Sequence, residues 1–192
     1  MSELCIVTCS NFRREVAAIV AQDGLKDVRL ASFAATCIRP RMGRDPAETL
    51  VAACRRQGCA IAALGSYCLA RVARAAMGGP WADAPDTCME LVADAATVEQ
   101  LLNQGAYLLT PGWLSNWRRY MREWGFDRET ACAFFAETVR VLTLLDTGVC
   151  RDSAAQLQAL AEFLRLPWSS MPVGLDPLRC HVTALVQRLS RG

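Results

Sequence analysis

Five short runs constrain the fold of this chain more than anything else in it: 4–8 (LCIVT), 28–33, 60–64, 106–109 and 141–145. Each is apolar with no polar alternation, the signature of a strand covered on both faces, and so of a parallel sheet packed between helices. Amphipathic segments with helix-start signals separate them. Phe12, Val16, Ile19 and Val20 share one apolar face after Asn11. Asp45-Pro46 opens a capping box closed by Glu48, with Leu50, Val51 and Cys54 turned inward. Thr110-Pro111, Asp127, Ser153 (with Gln156) and Asp176-Pro177 mark further starts, and Gly105 and Gly125 mark stops. Strand and helix alternate along the chain, so the expected fold is α/β, a mostly parallel sheet of about five strands with helices on both faces. We expect one domain over residues 1–192, with an irregular loop near 77–87 (MGGPWADAPDT).

Composition narrows the function classes. With 53% hydrophobic and 21% charged residues the chain is globular. Charged residues interrupt every apolar run before the roughly 18–20 residues that cross a bilayer. The N-terminus has no basic region before its apolar stretch, so a cytoplasmic protein is expected. Net charge is +2, carried almost wholly by Arg without a sustained basic tract, which argues against nucleic acid. The single histidine excludes zinc sites built on several imidazoles.

Ten cysteines remain to be explained, and in a reducing compartment they are thiols, metal ligands or redox centres. Ligands of open α/β sheets sit outside the carboxyl ends of the strands. Cys9 follows the first strand and Cys68 the third, Thr110 and Trp113 follow the fourth, and Asp146 and Cys150 follow the fifth. Cys88 comes after the loop beyond Cys68, near a helix start at Asp86 or Thr87. Three thiolates from separate loops hold a four-iron cluster with one iron open, or zinc with one open position. Soft sulfur donors select such metals over oxygen-preferring ions. No CxxC pair is present, so the constellation rests on convergence and not on a local motif.

Other residues have plainer readings. Cys5, Cys37, Cys54, Cys59 and Cys132 suit core packing. Trp113, Trp117, Tyr120 and Trp124 recur at helical spacing and suit a core stripe, although Trp113 also neighbours the expected site. His181 borders an apolar helix face, Asp146 suits a turn cap, and Glu90 suits a solvated first turn.

Taken together, "IVTCSN", "GSYCLA", "DTCMEL", "AYLLTPGW" and "GFDRETACAFFAETVRVLTLLDTG" resemble the domain-of-unknown-function 1638 family, over roughly Leu4 to Leu166. The "LLTPGW" and "LLDTG" elements match well. The cysteine elements keep Cys9, Cys68 and Cys88, but Leu69 and Ala70 replace the family's glycines and Thr87 its histidine. Some members are encoded near corrinoid-dependent methyltransferases, so the resemblance implies one-carbon or corrinoid metabolism, with a protein partner there. The resulting expectation is a metal-centre protein. Cys9, Cys68 and Cys88, with Cys150 as a further candidate, hold a 4Fe-4S cluster or zinc; Thr110, Trp113 and Asp146 line a small-molecule site. The alternatives are a metal-free cysteine-thiol enzyme or redox sensor, and a non-catalytic ligand-binding or interaction module.

Overall fold

The computed structural model describes residues 3–35, 46–66, 69 and 85–190. All five expected strands form: β1 (Leu4–Cys9), β2 (Val28–Phe33), β3 (Ala60–Leu64), β4 (Ala106–Leu109) and β5 (Val141–Asp146). The expectation of one five-stranded sheet requires correction. The strands make two separate three-stranded parallel sheets, ordered β2-β1-β3 and β4-β5-β6, the sixth being β6 (Trp168–Pro172). A doubly covered strand has the same apolar character whichever sheet it joins, so the pattern of runs carries no sheet membership. The sixth strand escaped notice because it is exposed at four of five positions and reads WSSMP, an edge strand with no apolar run.

By its contacts the chain divides into two compact units, Met1–Leu91 with Asp176–Gly192, and Val92–Leu175. In the first unit every residue of β1 is buried, as befits the central strand. Its register sets Cys5 against Arg29 of β2 and Ile61 of β3, and Thr8 against Ser32 and Leu64. Helix α1 (Arg13–Gln22) connects β1 to β2, and α2 (Pro46–Arg56) returns from β2 past β1 to β3. These right-handed crossovers run in opposite directions, which puts α1 and α2 on opposite faces of the sheet. Helix α2 packs on all three strands through Ala47, Val51 and Cys54. The C-terminal α8 (Asp176–Ser190) packs on α1 and β3, and Arg179 ties it to Asp23 and Gln22 beside the end of α1. Of the expected irregular segment, Pro85 to Thr87 carry no helix or strand, and 77–84 lie outside the described residues.

In the second unit the strands advance in one direction, β4 to β5 to β6, through α6 (Arg128–Thr138) and α7 (Ser153–Leu164). The same handedness places these helices on one face, and they touch. Helices α3 (Ala95–Asn103), α4 (Pro111–Leu114) and α5 (Trp117–Glu123) complete the unit. Two of the start signals act as expected, since Thr110 and Asp127 each accept a main-chain N–H three residues on. Asp94, which the sequence reading did not single out, does the same, whereas Ser153 lies one residue inside its helix, after Asp152. Gly105 and Gly125 adopt left-handed φ of 79° and 73° beyond the helices they terminate.

Candidate functional site

Strand order β2-β1-β3 creates one distinctive place in the first unit. The connection leaving β1 departs toward β2, away from β3, and in sheets of this kind such a switch point, outside the carboxyl ends of β1 and β3, is where ligands bind. Cys9 is the last residue of β1 and is 4% exposed. Because Thr8 pairs with Leu64, the next position across from Cys9 is Gly65, followed by Ser66. The Thr8 hydroxyl donates to the Leu64 carbonyl at 2.9 Å, holding the two strand ends together inside the core.

Ser66 brings in the distant segment. Its hydroxyl and the Cys88 thiol are 2.8 Å apart and share a hydrogen bond across 22 residues of sequence. Cys88 opens a 3-10 turn (Cys88–Leu91) whose start is capped from within. The Glu90 carboxylate accepts both the Thr87 main-chain N–H and the Thr87 hydroxyl at 3.0 Å. Glu90, a half-buried first-turn residue, is therefore also a positioning residue for the Cys88 turn. Leu69, fully buried, donates its N–H to the Ser66 carbonyl, and a Cβ built on Gly65 would meet Leu69 Cδ1 at 2.5 Å. The glycine thus lets the Leu69 side chain lie against the turn.

Of the three expected thiol ligands, Cys9 and Cys88 belong to this rim; Cys68, two residues beyond Ser66 in sequence, lies outside the described residues. Among the described residues, no three of the His, Cys, Asp and Glu side chains gather as a ligand set. Ser66 is the rim residue that sequence reasoning passed over, although it stands in the quoted GSYC element directly after β3.

The other expected site residues lie in the second unit. Thr110 is buried and its hydroxyl accepts the Trp113 N–H at 3.4 Å. Trp113 is 7% exposed and packs against Tyr107, Tyr120 and Trp124, at ring separations of 5.8, 5.3 and 6.4 Å. Asp146 caps a turn: its carboxylate accepts the Gly148 N–H at 2.9 Å and its carbonyl accepts from Val173 and Gly174. Cys150 is half-buried, and its carbonyl accepts the Ser153 N–H at the start of α7.

The cysteines read as core filler divide in the structure. Cys5 and Cys54 are buried, with Sγ atoms 3.2 Å apart. Burial first, then the neighbouring Cys54 thiol, pushes the Cys5 thiol up to about 12. Cys59 is not core: half-buried, it accepts from Arg29 Nη2 at 3.2 Å and faces Glu3 at 3.6 Å. Cys132 is also half-buried and donates to the Phe163 carbonyl. Cys37 lies outside the described residues.

Residues 49–181 match the sequence profile of a family described as "Protein of unknown function (DUF1638)". The chain belongs to that family. The matched span takes in Ser66, Cys68, Cys88, Thr110, Trp113, Asp146 and Cys150, and leaves Cys9 before it. No curated protein matches the sequence. Among solved structures, the chain is similar to a dimeric Lac repressor with a C-terminal deletion and a Lys-to-Leu substitution. Identity is 14% and the TM-score 0.43, over 98% of this chain and 91% of that one. No helix among the described residues is long and apolar enough to cross a membrane.

Proposed function

We propose that this DUF1638 protein carries a metal centre at the carboxyl rim of the β2-β1-β3 sheet, on Cys9, Cys68 and Cys88, with a 4Fe-4S cluster preferred over zinc. The observation that carries the reading is the Ser66–Cys88 hydrogen bond. It fastens a thiol from a remote segment beside the end of β3, next to the strand end that bears Cys9. Cys68 follows Ser66 by two residues in the sequence. A hydroxyl donor to sulfur is also the kind of outer contact that tunes a thiolate ligand. The donor set fits soft metals, since no histidine falls between Cys9 and Cys88 to favour another class.

When bound, such a cluster supplies an iron without a cysteine ligand, at which a small molecule is held and polarised or exchanges electrons. The chain's own contributions are more specific. Cys9 and Cys88 supply thiolates, Ser66 orients and hydrogen-bonds the Cys88 sulfur, and Glu90 holds the turn that presents it. We place the ligand in one-carbon or corrinoid chemistry on the family resemblance, with a protein partner from that metabolism and a cytoplasmic setting. Thr110, Trp113, Asp146 and Cys150, which lie in the second unit, are assigned no part in this centre.

Anaerobic purification followed by iron, sulfide and zinc analysis tests the reading. The expected result is iron and acid-labile sulfide at near four per chain for a four-iron cluster, or one zinc. Cys9→Ser, Cys68→Ser and Cys88→Ser each lose it, and Cys150→Ser keeps it. Metal-free protein after anaerobic reconstitution sinks the proposal.

A further inference from the structure

A second thiol group stands at the opposite end of the same sheet. Cys5 is the second residue of β1, four positions and so about 13 Å before Cys9. Arg29, its register partner, is the second residue of β2, and Cys59 immediately precedes β3. Cys54, on the last turn of α2, completes the group. Its main-chain carbonyl accepts the Cys59 N–H, and the Ala60 N–H is held by the Glu3 carbonyl. These bonds fix the segment against the start of β1.

The Cys5 and Cys54 sulfurs, 3.2 Å apart, are nearer than the roughly 3.5–4.0 Å at which apolar atoms usually rest. An approach of little more than about 1 Å reaches the ~2.05 Å disulfide bond. Nothing about core packing requires two thiols to face each other so directly. The Arg29 guanidinium bonds the Cys59 sulfur and interacts with Cys5, but burial outweighs it and holds both thiols above the ordinary range. The group is not sealed. Cys59 is half-buried, and the Arg29 and Glu3 side chains are 37% and 54% exposed. Cys5 and Cys54 themselves are 0% and 2% exposed, so an oxidant reaches the pair when this end of the sheet opens locally.

We propose that Cys5 and Cys54 form a reversible dithiol–disulfide pair that takes hydrogen peroxide as its oxidant. The sulfur that reacts first gives up its proton and attacks one peroxide oxygen, the O–O bond breaks, and the departing hydroxide takes that proton to leave as water, giving a sulfenic acid. The second sulfur then attacks the first, the S–O bond breaks, and a second water leaves with the remaining proton. Two thiols and one peroxide give one disulfide and two waters; the two electrons come from the sulfur pair. A dithiol reductant reverses the change by exchange. The product ties β1 to α2 across 49 residues. Lying at the other end of the sheet, the pair is independent of the proposed metal centre.

The test uses the full chain, reduced, freed of reductant and exposed to equimolar hydrogen peroxide. Remaining thiols are alkylated after denaturation, and peptides are mapped without reduction. Arg13, Arg44, Arg55 and Arg56 place Cys5, Cys54 and Cys59 in three different tryptic peptides. Fragmentation between Ile6 and Thr8 separates Cys5 from Cys9. The expected result is a cross-linked peptide joining residues 5 and 54, about 2 Da lighter than its reduced parts and released by dithiothreitol. Cys59→Ser keeps that link, whereas Cys54→Ala abolishes it. Both thiols remaining fully alkylatable, or links joining only Cys59 or Cys9 to other partners, overturns the proposal. Because the readout is made on the wild-type chain, it stands even if Cys54→Ala fails to fold.

Discussion

At Cys5, burial beside a second thiol has a consequence for stability that runs against the usual acid sensitivity of proteins. A pKa raised from 9.0 to about 12 means that the folded chain keeps this proton after an unfolded chain has released it. That contribution is complete below about pH 9 and is lost as pH rises toward 12. Urea midpoints measured from pH 8 to 11 should fall for the wild type, and fall less steeply for Cys5→Ala. The capping aspartates behave oppositely. The Thr97 hydroxyl and then its N–H hold Asp94 below the ordinary aspartate range, and the Thr130 N–H leads in doing so for Asp127. Their help is present above about pH 4 and disappears as pH falls through the lowered values. Asp127→Asn should therefore flatten the acid limb of the stability curve, as followed by circular dichroism between pH 5 and 2.

Among the elements, β4 and its approach are the most tightly specified. Gly105 takes φ of 79°, its carbonyl accepts the Arg140 N–H at 2.8 Å, and an added Cβ would meet Arg140 Cγ at 2.9 Å. Gly105→Ala is expected to cost about 1–2 kcal/mol from the left-handed backbone alone, read as a drop in urea midpoint at unchanged slope. Strand β5 lies at the centre of its sheet, and Leu144 on it is fully buried. Leu144→Ala should cost about 2–5 kcal/mol by leaving a cavity that close-packed neighbours fill only in part. An equivalent change on β6, such as Ser169→Ala, touches an exposed edge residue hydrogen-bonded to Thr143 and should cost about 1 kcal/mol.

For the molecule as a whole, a centre that binds the folded chain alone must raise its stability by mass action. Anaerobic reconstitution with iron and sulfide should raise the thermal midpoint of the wild type. It should leave those of Cys9→Ser and Cys88→Ser where they were, a comparison calorimetry makes directly. Five strands, the helix caps at Thr110 and Asp127, and the left-handed turns at Gly105 and Gly125 were legible in the sequence. Each is decided within a few residues, by apolar patterning, by a side-chain oxygen three positions from an N–H, or by the absence of a Cβ. The position of Cys9 at a strand end was legible for the same reason. What the chain could not announce locally was the partition into two sheets, the exposed edge strand β6, the bond between Ser66 and Cys88, and the meeting of Cys5 with Cys54. Those depend on which buried strands lie side by side and on which helix returns across them. Such contacts between residues 22 to 49 apart exist only once the crossovers close.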